Sequence, residues 1–212
     1  MKKLLLTSTA IVMLTACHSN EQNSDTLKGA NYISTDVGAT YTYKMSDADY
    51  KIVTTVNSCN NEKTTCDYTS KMLEKDGTIV NGSEKNFTYT IKNGAVYQID
   101  KDTKDDEVFP ATIELNKMKS FTHDYDYGQV SSNYSYTKYI PEISVNGKTY
   151  KNCVQIDADA TTKFKKQRDD GTDTYNLKSV EIYCKGIGQV QNDITQGSPA
   201  TTSSNTLVSI TK

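Results

Sequence analysis

Cysteine, histidine and carboxylate side chains are the groups of this chain that could make or break bonds, and their spacing limits what they can do. A serine nucleophile needs a positioned base, yet the 212 residues contain no Gly-x-Ser-x-Gly and only two histidines, His18 and His123. His123-Asp124 stands in a tyrosine-rich polar stretch and reads as an exposed pair. Paired carboxylates could still move protons. The candidates Asp100, Asp102, Asp105, Asp106 and Glu107 fall in a lysine-interleaved run that reads as a solvated loop and lacks the glycine and spacing of a calcium loop. Asp157 and Asp159 would share one strand face and could reach a ligand, but exposed alternation accounts for them. Zinc has no Cys-x-x-Cys to bind and too few histidines. The expectation is a protein that is not an enzyme and uses no metal or cofactor.

One cysteine stands apart. Lys2 and Lys3 precede an apolar run, Leu4 to Leu14, and the small residues Thr15-Ala16 then lead to Cys17, which is the layout of an export signal over residues 1–16. The run is too short for a transmembrane helix, which needs about 20 apolar residues. Leu14-Thr15-Ala16-Cys17 resembles the lipobox of bacterial lipoproteins: Leu, a small or hydroxyl residue, Ala or Gly, then Cys. The resemblance implies a diacylglyceryl group on the Cys17 sulfur, cleavage just before it, and a further acyl chain such as palmitate on the new amino group. His18 follows where an Asp would hold a Gram-negative lipoprotein at the inner membrane, so the implied address is the outer membrane, with the domain in the periplasm or at the cell surface. Two or three acyl chains make such an anchor durable, because each buried methylene contributes about 0.8 kcal/mol. Residues 17–34 then read as the lipidated Cys and a polar, flexible tether, with the folded part opening between Tyr32 and Gly38 and a single domain over 35–212.

The other four cysteines, Cys59, Cys66, Cys153 and Cys184, are an even number in an exported chain and imply disulfides. Three pairings exist. Cys59 and Cys66 enclose a polar turn, so pairing across that hairpin is the simplest, leaving Cys153 with Cys184. The midpoint of the second pair falls next to Asp169-Asp170-Gly171, a turn signal where a hairpin would fold back. That register sets Gln155 opposite Ile182 and Asp157 opposite Val180, against the rule that like faces like; a bulge, a diagonal bridge or burial on both faces would resolve it.

Without Lys2 and Lys3 the 24 basic residues fall to 22 against 26 acidic ones, a net charge near -4. Phosphate binding relies on clustered Lys and Arg. The basic cluster, Lys163, Lys165, Lys166 and Arg168, is followed by Asp169, Asp170 and Asp173, so nucleic acid is not an expected partner.

The elements that must position these groups are strands. Between Thr40 and Thr211 short runs of Thr, Tyr, Val and Ile are cut by Asn-Gly and Asp-Gly. Phe87–Ile91 and Ala95–Ile99 form a hairpin around Asn93-Gly94, whose residues tolerate the positive φ of a primed turn. A second runs from Tyr134 to Val145, turns at Asn146-Gly147 and returns to Lys163; a third strand follows over Thr174 to Cys184. Shorter strands are expected near 40–45, 119–127, 188–194 and 205–211, and one short helix near Ile113 to Ser120. An antiparallel meander of ten or so strands must curl, close or be covered. The fold class is therefore all-β, or β-rich with one short helix, curved into a half-barrel or barrel.

Ile143-Ser144-Val145-Asn146-Gly147-Lys148-Thr149-Tyr150-Lys151-Asn152-Cys153-Val154-Gln155-Ile156, followed by Tyr183-Cys184-Lys185-Gly186-Ile187-Gly188-Gln189-Val190, resembles a pattern in exported bacterial lipoproteins whose fold is similar to the half-barrel of the lipoprotein carriers LolA and LolB. The resemblance implies a curved sheet and, as one reading, the handling of a lipid or amphiphile; it carries over no catalytic residue. Gly186 and Gly188 would mark a bulge or sharp bend, or a place where a ligand approaches closely.

Fifteen tyrosines stand against four phenylalanines and no tryptophan. Tyr125, Tyr127, Tyr134, Tyr136 and Tyr139 crowd one segment, with Tyr125 and Tyr127 on one strand and Tyr134 and Tyr136 on the next, across a turn at Gly128-Gln129. They read either as cross-strand packing on a half-wet sheet or as a recognition surface, since Tyr offers contact area with a polar tip at little entropic cost. The expected function is a membrane-anchored envelope lipoprotein that binds a protein partner. A lipid-handling half-barrel, a structural envelope protein and an immunity protein are the alternatives.

Overall fold

Thr, Val, Ile and Tyr runs broken by turn residues give twelve strands in one antiparallel sheet. This computed structural model describes residues 27–100, 105–125, 127–166, 173–197 and 200–212. The export signal, Cys17, Asp102, Arg168 and the turn at Asp169-Asp170-Gly171 lie outside these residues, as does the side chain of Tyr125. The first meander comprises β1 (Thr40–Met45), β2 (Lys51–Cys59), β3 (Thr65–Leu73), β4 (Lys85–Lys92), β5 (Ala95–Ile99) and β6 (Asp106–Phe109). The second comprises β7 (Met118–Tyr125), β8 (Gly128–Val145), β9 (Lys148–Phe164), β10 (Thr174–Cys184), β11 (Gly188–Gln196) and β12 (Thr201–Thr211). The sheet order is β6-β5-β4-β3-β2-β1-β12-β11-β10-β9-β8-β7, so the meanders join through β1 and β12 and the mid-chain strands β6 and β7 stand at the two ends.

That order forces curvature. Twelve strands laid flat would put the end strands about 50 Å apart, whereas the link from Phe109 to Met118 reaches at most about 30 Å. The ends therefore come together. Lys119 Nζ on β7 pairs with Glu107 Oε1 on β6 at 2.8 Å, and the Tyr136 hydroxyl on β8 donates to Val108 O at 3.2 Å. β6 and β7 are nonetheless not ladder neighbours, so the barrel is curved and left open along one seam.

The Asn-Gly turns form as expected: Asn93 and Gly94 have φ 51° and 84°, Asn146 and Gly147 49° and 75°. Cys59 bonds to Cys66 and Cys153 to Cys184. Gln155 opposes Ile182 and Asp157 opposes Val180, and burial on both faces accommodates the mismatch. Cys153, Ile182 and Cys184 belong to one core cluster, while the alternate residues Val154 and Ile156 enter a second. Gln155 Nε2 donates to Asp157 Oδ1, pairing the two polar groups with each other. Closing loops over sequence separations of 7 and 31 residues is worth about 2.5 and about 3.5 kcal/mol. Cys153→Ala with Cys184→Ala should therefore lower stability by roughly 1 kcal/mol more than Cys59→Ala with Cys66→Ala. Urea denaturation of the two double variants checks this, and an equal or reversed ranking would count against it.

Three expectations are corrected. No helix forms over Ile113 to Ser120: Ile113 is buried, Leu115 makes a single bridge to Tyr136, and Asn116 at φ 61° takes a conformation no α-helix contains before β7 begins. The acidic run is not all loop, because Asp106 and Glu107 open β6, anchored by Phe109 in the core. Residues 27–34 are not part of a tether. They belong to the folded body, with a 3-10 turn over Gly29–Tyr32 and with Tyr32, Ile33 and Ser34 buried.

That N-terminal segment fills the barrel. Ile113 N donates to Leu27 O, Gly186 N donates to Asn31 O, and the Tyr68 hydroxyl donates to Ser34 O. Tyr32 stacks on Phe109 with ring centroids 6.0 Å apart. A Cβ on Gly29 would come within 2.1 Å of Pro110 O, so only glycine fits there. Gly186 and Gly188, both at positive φ, form the bend beside this segment, where a bulge interrupts the β10–β11 register. What approaches these glycines closely is the protein's own chain.

Candidate functional site

The seam and the hollow behind it are where this fold has room for another molecule. β7 runs for eight residues but β6 for only four, so part of the β7 edge has no counterpart among the described residues. Lys119 and His123 place polar groups along the edge, the usual protection of an open strand. Apolar exposure nevertheless concentrates here: Met118 is 69% and Phe121 48% exposed, and Tyr127 in the β7–β8 turn is 53% exposed. A cleft of about 590 Å³ lies between the edges, bounded by Asp106, Glu107 and Val108 on one side and by Lys119 to His123 and Tyr134 on the other.

Behind the cleft lies a trough of about 320 Å³, sharing Val108, Phe121 and Tyr134 with it. The strand register builds its floor. Tyr134 opposes Ala158, which opposes Ser179; Ser132 opposes Ala160, which opposes Leu177. Small residues on the central strand leave the space, and Tyr89, Phe109, Phe121, Tyr134 and Tyr183 wall it. Phe109 meets Tyr183 edge-on at 5.0 Å. A further chamber of about 220 Å³ shares Tyr89 and Tyr183 with the trough and is lined by Tyr32, Tyr41, Tyr43 and Tyr68.

Burial governs the electrostatics. The Tyr89 hydroxyl is pushed up to about 12, first by burial and then by the Glu181 carboxylate. Burial and the same carboxylate raise Tyr183 well above the ordinary tyrosine value. Burial also raises Tyr32, Tyr43, Tyr68 and Tyr136, so these interior tyrosines hold their protons far into the alkaline range.

Of the clustered tyrosines whose side chains are described, Tyr134, Tyr136 and Tyr139 turn inward and Tyr127 stands exposed, so these four do not make one recognition surface. Tyr136 is 1% exposed and belongs to the core, and Tyr134 lines the trough. The Tyr139 hydroxyl donates to Asn152 Oδ1 at 2.7 Å, half-buried, while Tyr127 is exposed and lies 6.3 Å from the Phe164 ring. Tyr125 closes β7 and pairs with Gly128, so Gly128 and Gln129 already belong to β8 rather than to a turn. A bulge in β8 between Tyr136 and Lys138, which no residue type announces, turns Tyr139 to the same inward face as Tyr134 and Tyr136. His123 borders the cleft; Asp124, its neighbour on the strand, accepts from Gln129 Nε2. Asp159 pairs with Lys178 at the surface, and Asp105 pairs with Lys92. Asp100 accepts from Gln98. Glu181, the carboxylate that does face the trough, carries no sequence signal beyond its alternation with Ser179 and Tyr183. Among the described residues no group of three His, Cys, Asp or Glu side chains could hold a metal ion, and no helix is long and apolar enough to cross a membrane.

Fold and site together define an unclosed antiparallel barrel, plugged by its own N-terminal segment and open along one seam. No protein-family model and no curated protein matches the chain. Solved structures do. A candidate lipoprotein from Parabacteroides distasonis superposes with a TM-score of 0.61 at 14% identity, over 85% of this chain and 98% of that one. A candidate exported protein with a YmcC-like fold, from Bacteroides fragilis, superposes with a TM-score of 0.57 at 9% identity, over 85% and 99%. At such identities the likeness is one of fold.

Proposed function

We propose that this chain is a lipid-anchored protein of the bacterial envelope, held at the outer membrane through Cys17, and that it binds an extended segment of a protein partner along β7 without catalysis. The observation that carries the reading is the eight-residue β7 edge, faced by a β6 half as long and flanked by Met118, Phe121 and Tyr127. Adding a strand there would supply main-chain hydrogen bonds for affinity and apolar side-chain contacts for specificity. Export is supported by the export signal and lipobox pattern up to Cys17, by two disulfides, and by neighbours of the same fold described as a lipoprotein and an exported protein.

The carrier reading has less support. An acyl-chain carrier needs a continuous apolar cavity, whereas here the segment 27–34 occupies the interior and the remaining chambers have tyrosine, serine and glutamine in their walls.

Photo-crosslinking in intact cells tests the docking edge. A benzoyl-phenylalanine at Met118 should give discrete protein adducts, while the same group at Ile79, exposed at 45% but far along the chain from β7, should not. Cys17→Ser should release the protein from membranes and abolish the Met118 adducts. Equal labelling from both positions, or none from Met118, would count against docking at β7; adducts that survive with the variant still membrane-bound would count against the anchor.

A further inference from the structure

Glu181 sits in the aromatic trough as a carboxylate without a counter-ion among the described residues. It is half-buried and accepts hydrogen bonds from the Tyr183 hydroxyl at 2.7 Å, Gln189 Nε2 at 2.9 Å and Ser179 Oγ at 3.3 Å. These donors hold it in place. No cationic side chain pairs with it among the described residues; Lys119, at the mouth of the trough, is engaged with Glu107.

The row to which Glu181 belongs is short of positive charge. Glu181 opposes Asn192 on β11, and Asn192 opposes Asn205 on β12. The buried oxygens Asn192 Oδ1 and Asn205 Oδ1 accept no hydrogen bond from the described residues. Uncompensated acceptors in a low-dielectric interior deepen the negative potential around a fixed carboxylate. The walls carry potential of the same sign, since the faces of aromatic rings are electron-rich and attract cations. Tyr89, Phe109, Tyr134 and Tyr183 stand around the same space, and Ala158, Ala160 and Ser179 leave it open.

We propose that the trough is a binding site for an aliphatic ammonium ion, its charge against the Glu181 carboxylate and its carbon atoms between the aromatic rings. A metal cation is a poor fit, because the walls offer rings rather than the several oxygen ligands a hard ion requires. An anion would face Glu181 directly. An aliphatic ammonium meets both features, and the site does not depend on what docks at β7.

Calorimetric titration of the detergent-solubilised full chain tests this with choline, n-butylammonium and 3,3-dimethylbutan-1-ol, the neutral carbon isostere of choline. Saturable binding of either cation is expected, with the alcohol at least about tenfold weaker because it lacks the charge. Glu181→Gln keeps the side-chain shape and should weaken the cations by about tenfold or more while leaving the alcohol unchanged. Should that variant fail to fold by circular dichroism, Ala158→Leu fills the trough from its floor and should abolish binding of all three. Absence of saturable binding for both cations, equal affinity for choline and its isostere, or undiminished binding in a folded variant would overturn the proposal.

Discussion

Above about pH 10 the domain is expected to lose stability at about 4 kcal/mol per pH unit, an unusually steep alkaline transition. Tyr32, Tyr68 and Tyr136 are almost completely buried, and burial is the first cause that raises each of them. The sign follows from the two end states. Below about pH 10 these tyrosines are neutral whether the chain is folded or not, so they contribute no pH dependence. Above it the unfolded chain releases protons that the folded chain keeps, and stability falls as pH climbs toward the folded values. Each group accounts for about 1.4 kcal/mol per unit, and the half-buried Tyr43, Tyr89 and Tyr183 act in the same direction. Urea midpoints between about pH 9 and about pH 11 measure the slope, with tyrosinate absorbance showing whether ionisation accompanies unfolding. Tyrosines that ionise within a still-folded barrel would refute the expectation.

Tyr32→Ala should cost about 4 kcal/mol, the range for truncating a fully buried aromatic side chain. The residue lies only fifteen positions beyond Cys17, in a stretch whose composition resembles a linker, yet it is 0% exposed. It packs with Ile33, Val96, Phe109 and Ile113 in one core cluster. Tyr127→Ala, at the exposed β7–β8 turn, should cost under about 1 kcal/mol and serves as the comparison. Denaturation of the two variants side by side decides the matter. Similar losses would mean that residues 27–34 are not part of the cooperative unit.

The contrast between these two tyrosines shows what a linear reading reaches. Turn chemistry is local, so Asn93-Gly94 and Asn146-Gly147 disclosed their hairpins, and the spacing of Cys153 and Cys184 disclosed the register between β9 and β10 down to Gln155 opposite Ile182. Burial of a polar-looking segment is not local. Tyr32 and Ile33 are two core residues between Asn31 and Ser34, too few to produce a period, and the groups that hold the segment, Phe109 against Tyr32, Gly186 on Asn31 and Tyr68 on Ser34, lie far along the chain. β6 escaped notice for a related reason: its two outward acids resemble a loop until Val108 and Phe109 are seen to pack. The site was legible only as far as its tyrosines. A bulge after Tyr136 turns Tyr139 inward beside Tyr134 and Tyr136, and the carboxylate facing the trough takes its setting from β11 and β12 as well as from Ser179 and Tyr183 on its own strand.

The central pairing of β1 with β12 sets a condition on the order of assembly. Export threads a chain from its N-terminus, so β1 would leave the translocation channel long before residues 201–211. In the interval its outer edge has no neighbour, and an unpaired edge invites association with other chains. Contacts spanning most of the sequence also form slowly. The barrel therefore cannot curl to its final shape until the last strand has emerged. A chain cut short before β12 would leave two half-sheets with open inner edges, a species for chaperones and proteases to remove.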